Sequence, residues 1–348
     1  MKTVKTIIAM IGMTLVLFAS DQRIAALGGN VGFWPDDDQS YTMFPTAIND
    51  LDFIQVSGAG TGNGSVGIVW GEETTYGFMF SGDDASNNDM INLAWGNGTL
   101  GALIGVGMSS NKVGDGNESS TMDFNASVGT NMDFGEVGGH FAYGTVSDGD
   151  DSTEDQNVMG FGAALRREQN VWLFSHMLTT FDYLDLSAGD ALSAGGMGLA
   201  VDMFTSIDVS EDVNAVFALG FGYETSDMSM QLNDTTTINS ESTIMSLPAA
   251  TVAVEANVTD WAAVRFGMNH SYVLSGSSTD DAVETTWSGT TDHDGESNFG
   301  WNFGLGFDYG SFTLDMVVEE TLFTNPVHYV TGRNTEALTT SASITWNF

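Results

Sequence analysis

The chain has no cysteine in 348 residues. That excludes disulfides, thiolate metal sites and a lipidated N-terminal cysteine. Basic residues are nearly as scarce: 8 Lys and Arg stand against 46 Asp and Glu, for a formal net charge of -38. Lys2 and Lys5 lie in the first few residues, so the remainder holds only Arg23, Lys112, Arg166, Arg167, Arg265 and Arg333. A nucleic-acid partner is excluded, because phosphate binding needs a basic surface. The acidity reads as solvated surface, with cation binding as the specific alternative. After the first twenty residues no apolar run reaches the length of a membrane helix, since Gly, Asp or Asn interrupts each one. Catalytic signatures are missing too. There is no Gly-x-Ser-x-Gly elbow, and His140, His176, His270, His293 and His328 form no close-spaced pair. The acidic stretches "SDGDDSTED" (147–155) and "DHDGES" (292–297) lack the ligand spacing of a calcium loop. Neither enzyme chemistry, a resident metal nor a cofactor is expected.

What the chain does have is a leader and a long run of alternation. "MKTVK" followed by "TIIAMIGMTLVLFA" is a positive n-region before an apolar core, so residues 1–20 read as a secretory signal. Beyond about residue 50 the period is two. In "NFGWNFGLGFDY", Phe299, Trp301, Phe303, Leu305, Phe307 and Tyr309 share one face, and Gly300, Asn302, Gly304, Gly306 and Asp308 the other. The large face is too apolar for water, and the small face too polar and glycine-rich for a packed core. A strand standing between lipid and an aqueous lumen needs that inversion. Sixteen segments follow the pattern: 52–59, 64–71, 74–81, 89–96, 99–109, 120–131, 133–146, 157–167, 169–182, 196–208, 212–224, 244–257, 261–273, 297–309, 311–321 and 340–348.

The expected fold is therefore all-β, a transmembrane antiparallel up-and-down barrel over 51–348. The connections alternate short ("EET", "GNG", "NM", "REQN", "SED", "TD", "YG") and long, including 226–239 and 276–297. Short turns face the periplasm and long acidic loops face outward in such barrels. On this map Trp70, Trp95, Trp172, Trp261 and Trp346 mark the periplasmic ends, and Tyr143, Tyr183, Tyr223 and Tyr272 the outer ends. Girdles of this kind suit rings with an apolar body and a polar tip, and they name outer-membrane lipid as a partner.

The last residues are Ile344, Trp346 and Phe348, alternating with polar neighbours up to the final atom. This end resembles that of bacterial outer-membrane barrels, which typically finish on an aromatic residue read by the barrel-assembly machinery. The resemblance implies the outer membrane of a Gram-negative-type bacterium, and the three residues as the assembly signal. Residues 21–50 do not alternate. "RIAALGGNVGFWPDDDQSYTMFPTAIND" carries Gly28-Gly29, then Asp36, Asp37 and Asp38, then Pro45. It resembles the N-terminal segment of the long-chain fatty-acid transporter superfamily, with Phe44-Pro45-Thr46-Ala47 where that family has Asn-Pro-Ala. The resemblance implies a lumenal plug, and a fourteen-stranded barrel as the alternative to sixteen. A periplasmic segment is the other reading of 21–50.

Parity places Arg265, Glu255, Asp123, Asp202, Asp308, Asp315 and Glu319 on the inner face. If the "TD" connection turns at Asp260, Glu255 lies directly across from Arg265. Arg265 is expected to be the one cation well inside a strand. A one-signed lumen favours cations. The expected function is an outer-membrane channel for passive or weakly cation-selective passage of small polar solutes. A plugged transporter for a hydrophobic ligand is the alternative, and a structural or adhesive surface barrel a third. Oligomeric state has no signature in the sequence.

Overall fold

The computed structural model describes residues 21–59, 64–82, 89–113, 117–147, 155–189, 191–233, 236–282, 287–318, 323 and 339–348. The leader, Glu319 and the tips of several outer connections lie outside them.

The described strands form one closed antiparallel wall. In chain order they are β1 (Phe53–Ala59), β2 (Ser65–Gly71), β3 (Thr75–Ser81), β4 (Met90–Gly96), β5 (Leu100–Val113) and β6 (Asn117–Met132). Then come β7 (Gly135–Ser147), β8 (Gln156–Val171), β9 (Phe174–Ala188), β10 (Leu192–Ser210), β11 (Val213–Asn233) and β12 (Thr236–Thr259). The last are β13 (Ala262–Ala282), β14 (Trp287–Asp292), β15 (Ser297–Tyr309), β16 (Phe312–Val318) and β17 (Thr339–Asn347). β14 pairs with the far half of β13, and β15 with the near half, so the two are one wall strand interrupted at 293–296. The wall thus has sixteen strands, not the fourteen implied by the transporter resemblance. It closes where β17 pairs with β1, Phe53 opposite Asn347 and Val56 opposite Ile344. Closure removes both sheet edges, which a membrane demands.

Two short turns fall further along than "REQN" and "NM" suggest. β8 runs through that polar stretch to Val171, and the reversal is made by Trp172 and Leu173, with Trp172 at φ 54°. β6 likewise ends at Met132, and Asp133 and Phe134 make its turn. The outer connections differ more. The segments 226–239 and 276–297 are largely paired strand rather than loop, since β11 pairs with β12, and β12 with β13, far beyond the hydrophobic region. β12 alone has 24 residues, a rise of roughly 80 Å along the strand at about 3.3 Å each. A span needs only about 9–11 residues. The aromatic residues mark that span. The five tryptophans stand outward at or beside the short-turn end, 40–86% exposed. Tyr143, Tyr183, Tyr223 and Tyr272 are the ninth, tenth, eleventh and eleventh residues of β7, β9, β11 and β13. Above them the hairpins rise clear of lipid.

Residues 21–50 lie inside this wall, toward the short-turn end. They form helix α1 (Asp21–Ala26) and three 3-10 turns, Val31–Phe33, Asp38–Thr42 and Pro45–Asp50. Gly28 and Gly29, at φ 96° and 82°, stop α1 and turn the chain. Asp37 caps the second turn by accepting from the Gln39 N–H at 2.7 Å. Two apolar clusters join the segment to the wall. Leu27, Phe33 and Phe44 pack with Leu178, Phe204 and Val216, while Tyr41 and Ile48 pack with Phe53, Val69 and Met79.

Candidate functional site

Several inner glycines lie against residues 21–50. A Cβ at Gly101 would overlap the Pro45 carbonyl, and one at Gly138 would overlap the carbonyl of Met43. At Gly129 a Cβ would come within 2.8 Å of the Pro45 ring. These strand positions are small because the segment's backbone lies against them.

Charge fixes the opposite side. Arg23 on α1 donates from Nε and Nη2 to both oxygens of Glu255, at 2.9 and 3.0 Å, and pairs with Asp37. Arg265 stands across from Glu255 in the β12–β13 register. It donates to Glu255 Oε2 and to Asp315 Oδ1, both at 2.5 Å. Two arginines and three carboxylates therefore run in one chain from segment to wall. Arg265, Glu255 and Asp315 have 5%, 19% and 7% exposed side chains. Burial pushes the Asp38 carboxyl above its ordinary range, with Arg23 pulling it down and Asp315 pushing it further up.

A second anchor was not foreseen. Arg166 is 3% exposed. It donates to Glu136 at 2.5 Å, to the Gly32 carbonyl at 3.2 Å and to Ser40 Oγ at 3.1 Å. Its guanidinium lies 4.4 Å from the centre of the Phe44 ring. So Arg265 is not the lone cation within a strand. The misplaced "REQN" turn had put Arg166 at a strand end. The signal was the parity of Gly160, Gly162 and Ala164, which continues onto Arg166. Hydrogen bonds complete the seat: Asn269 Nδ2 donates to the Gly28 carbonyl at 2.9 Å, and the Gly98 N–H to Asn49 Oδ1 at 2.7 Å.

Above the segment lies a cavity of about 560 Å³, lined by Val31, Phe33 and Met43 below and by Asp123, Asp182 and Asp202 at the sides. Asp123 and Asp202 are thus inward as parity requires, but apart from the anchoring network. Asp308 sits exposed beside the β15–β16 turn, accepting from Thr313 Oγ1 at 2.7 Å. Asp36 is exposed, and Pro45 begins the third 3-10 turn. Ile344 and Phe348 face outward at the rim with Trp346, whose ring stacks on Phe312 at 5.7 Å and meets Phe348 at 5.6 Å. Among the described residues no group of three or more His, Asp or Glu side chains is placed to hold a metal.

No protein-family model matches the chain, and no curated protein matches it. Solved structures do. The siderophore receptor PirA from Acinetobacter baumannii aligns at 10% identity over 77% of this chain and 62% of that one, with a TM-score of 0.36. PirA from Pseudomonas aeruginosa aligns at 11% identity over 85% and 79%, TM-score 0.32. The ferric-catecholate import receptor Fiu from E. coli K12 aligns at 7% identity over 85% and 81%, TM-score 0.31. This chain spans less than two thirds of the length of the first. Superpositions this partial say nothing about cargo.

Proposed function

We propose that the chain is a plugged transport barrel of the outer membrane. Residues 21–50 are the plug, and a small ligand enters the cavity above them from outside. Movement of the plug then lets it pass. The observation that carries this reading is the match between plug and wall. Glycines are absent of side chain where the plug backbone lies, and Arg23 spans from plug to wall through Glu255. A sixteen-stranded wall left empty encloses a water-filled channel, so the plug is what separates a gated transporter from a porin. The likeness of residues 26–47 to the fatty-acid transporter segment agrees with this reading, and Phe33 and Met43 supply an apolar floor for a ligand with an apolar part. Phe348, Trp346 and Ile344 serve as the assembly signal within it.

A weakly cation-selective passive channel is the second reading, supported by the carboxylates that line the cavity. Planar-bilayer recording separates the two. Intact protein is expected to show no steady current, and protein lacking residues 21–50 a steady porin-like conductance. Equal, steady currents from both would reject the plug and leave the passive channel.

A further inference from the structure

We propose that the cavity binds a small amphipathic amine. Two observations lead there. First, the lining is one-signed: Asp123, Asp182 and Asp202 contribute to it, and no Lys or Arg among the described residues does. The lumenal arginines, Arg23, Arg166 and Arg265, are all committed to holding the plug. Second, Asp202 makes no hydrogen bond or ion pair among the described residues, although it is half-buried. It stands one inward position above Phe204, whose ring lies 5.2 Å from that of Phe33 in the floor. A carboxylate directly over an aromatic floor suits an ammonium head on an apolar body. Asp182 is already approached by His140, Nε2 to Oδ1 at 3.5 Å. Asp123 is engaged as well, which leaves Asp202 as the carboxylate for the head group.

A cavity of about this volume, with an apolar floor and polar sides, falls within the size range of small-molecule sites.

The proposal rests on residues 21–50 being seated, because Phe33 belongs to the floor. The test uses whole protein in nanodiscs of zwitterionic lipid, with para-methoxyphenethylamine as probe and its alcohol and carboxylate analogues as neutral and anionic controls. Equilibrium dialysis is expected to show the amine bound at least about 10-fold more tightly than the alcohol, with the carboxylate weakest. Asp202→Asn should abolish the preference for the amine and leave the alcohol unaffected. Equal binding of the three head groups, or an amine preference unmoved by Asp202→Asn, would overturn the proposal. Bilayer recording on the same preparation keeps the two claims apart. Open conductance in the intact protein sinks the plug itself, whereas a closed barrel with no head-group preference sinks only the amine site.

Discussion

Replacing Gly101 and Gly138 together by valine is expected to open the barrel without weakening its wall. Each added side chain points inward, where Gly101 meets the carbonyl of Pro45 and Gly138 that of Met43. Both obstacles are plug backbone, which cannot swing aside as a flexible side chain does. The wall gains from the same change. Glycine within a strand is destabilising by roughly 0.5–1 kcal/mol relative to alanine, and valine favours the pleated conformation. The two effects have opposite signs and separate readouts. Steady current in a planar bilayer should rise toward that of the barrel lacking residues 21–50. The temperature at which the folded barrel unfolds in detergent should hold or rise. A variant that stays closed would show that the plug does not lie against β5 and β7.

Substituting Arg265 by methionine should release the plug from the other side. The side chain is the hub between Glu255 and Asp315, and all three are largely buried. Removing it strands Asp315 and leaves Glu255 to Arg23 alone, and breaking a buried pair in this way costs about 3–5 kcal/mol. That exceeds the roughly 0.2–1 kcal/mol of an ordinary cross-strand charge pair. The wall itself keeps its full ladder of backbone bonds, so the loss falls mainly on the seat. Adding Glu255→Gln and Asp315→Asn removes the stranded charge at Asp315 and should restore barrel yield. It should not restore closure, because Arg23 has then lost Glu255. If the single variant changes only ion selectivity, and the plug stays seated, the network is a lumenal decoration and not an anchor.

Much of this wall could be read from residue order. The alternation of "NFGWNFGLGFDY" reappears as β15, with Phe303 and Leu305 outward and Gly304 against α1. A turn near Asp260 sets Glu255 opposite Arg265, and the β12–β13 register has that pairing. The turn at Trp172 was hidden because it lacks glycine, asparagine or proline, the residues that announce reversals, while the neighbouring "REQN" looks more like one. That single displacement concealed Arg166. The tall hairpins were hidden for a different reason. Above the tyrosines the stretch 236–243 is polar on both faces and loses the apolar contrast on which period-two recognition depends, whereas 225–233 keeps Met228, Met230 and Leu232 at period two, with Met228 and Met230 packed on Leu186, Ala188 and Leu192. The meaning of the inner glycines was also out of reach, since an open lumen and a seated backbone both favour an absent side chain.

The plug's C-terminal end is tethered to β1 by the chain itself, so its freedom is best tested at α1. A Cβ at Gly304 would press on the Cβ of Ala26, closer than the roughly 3.5–4.5 Å of a disulfide, so α1 need only back away slightly for a bond to form. The chain has no other cysteine to compete. The decisive measurement is ligand flux through the Ala26→Cys, Gly304→Cys double variant in proteoliposomes, before and after reduction. The expected result is near-complete cross-linking on oxidation, flux blocked while the bond is intact, and flux restored by reductant. Failure of the two residues to cross-link, or flux through the oxidised barrel equal to that of the reduced one, would contradict a plug that sits in the lumen and moves to open it.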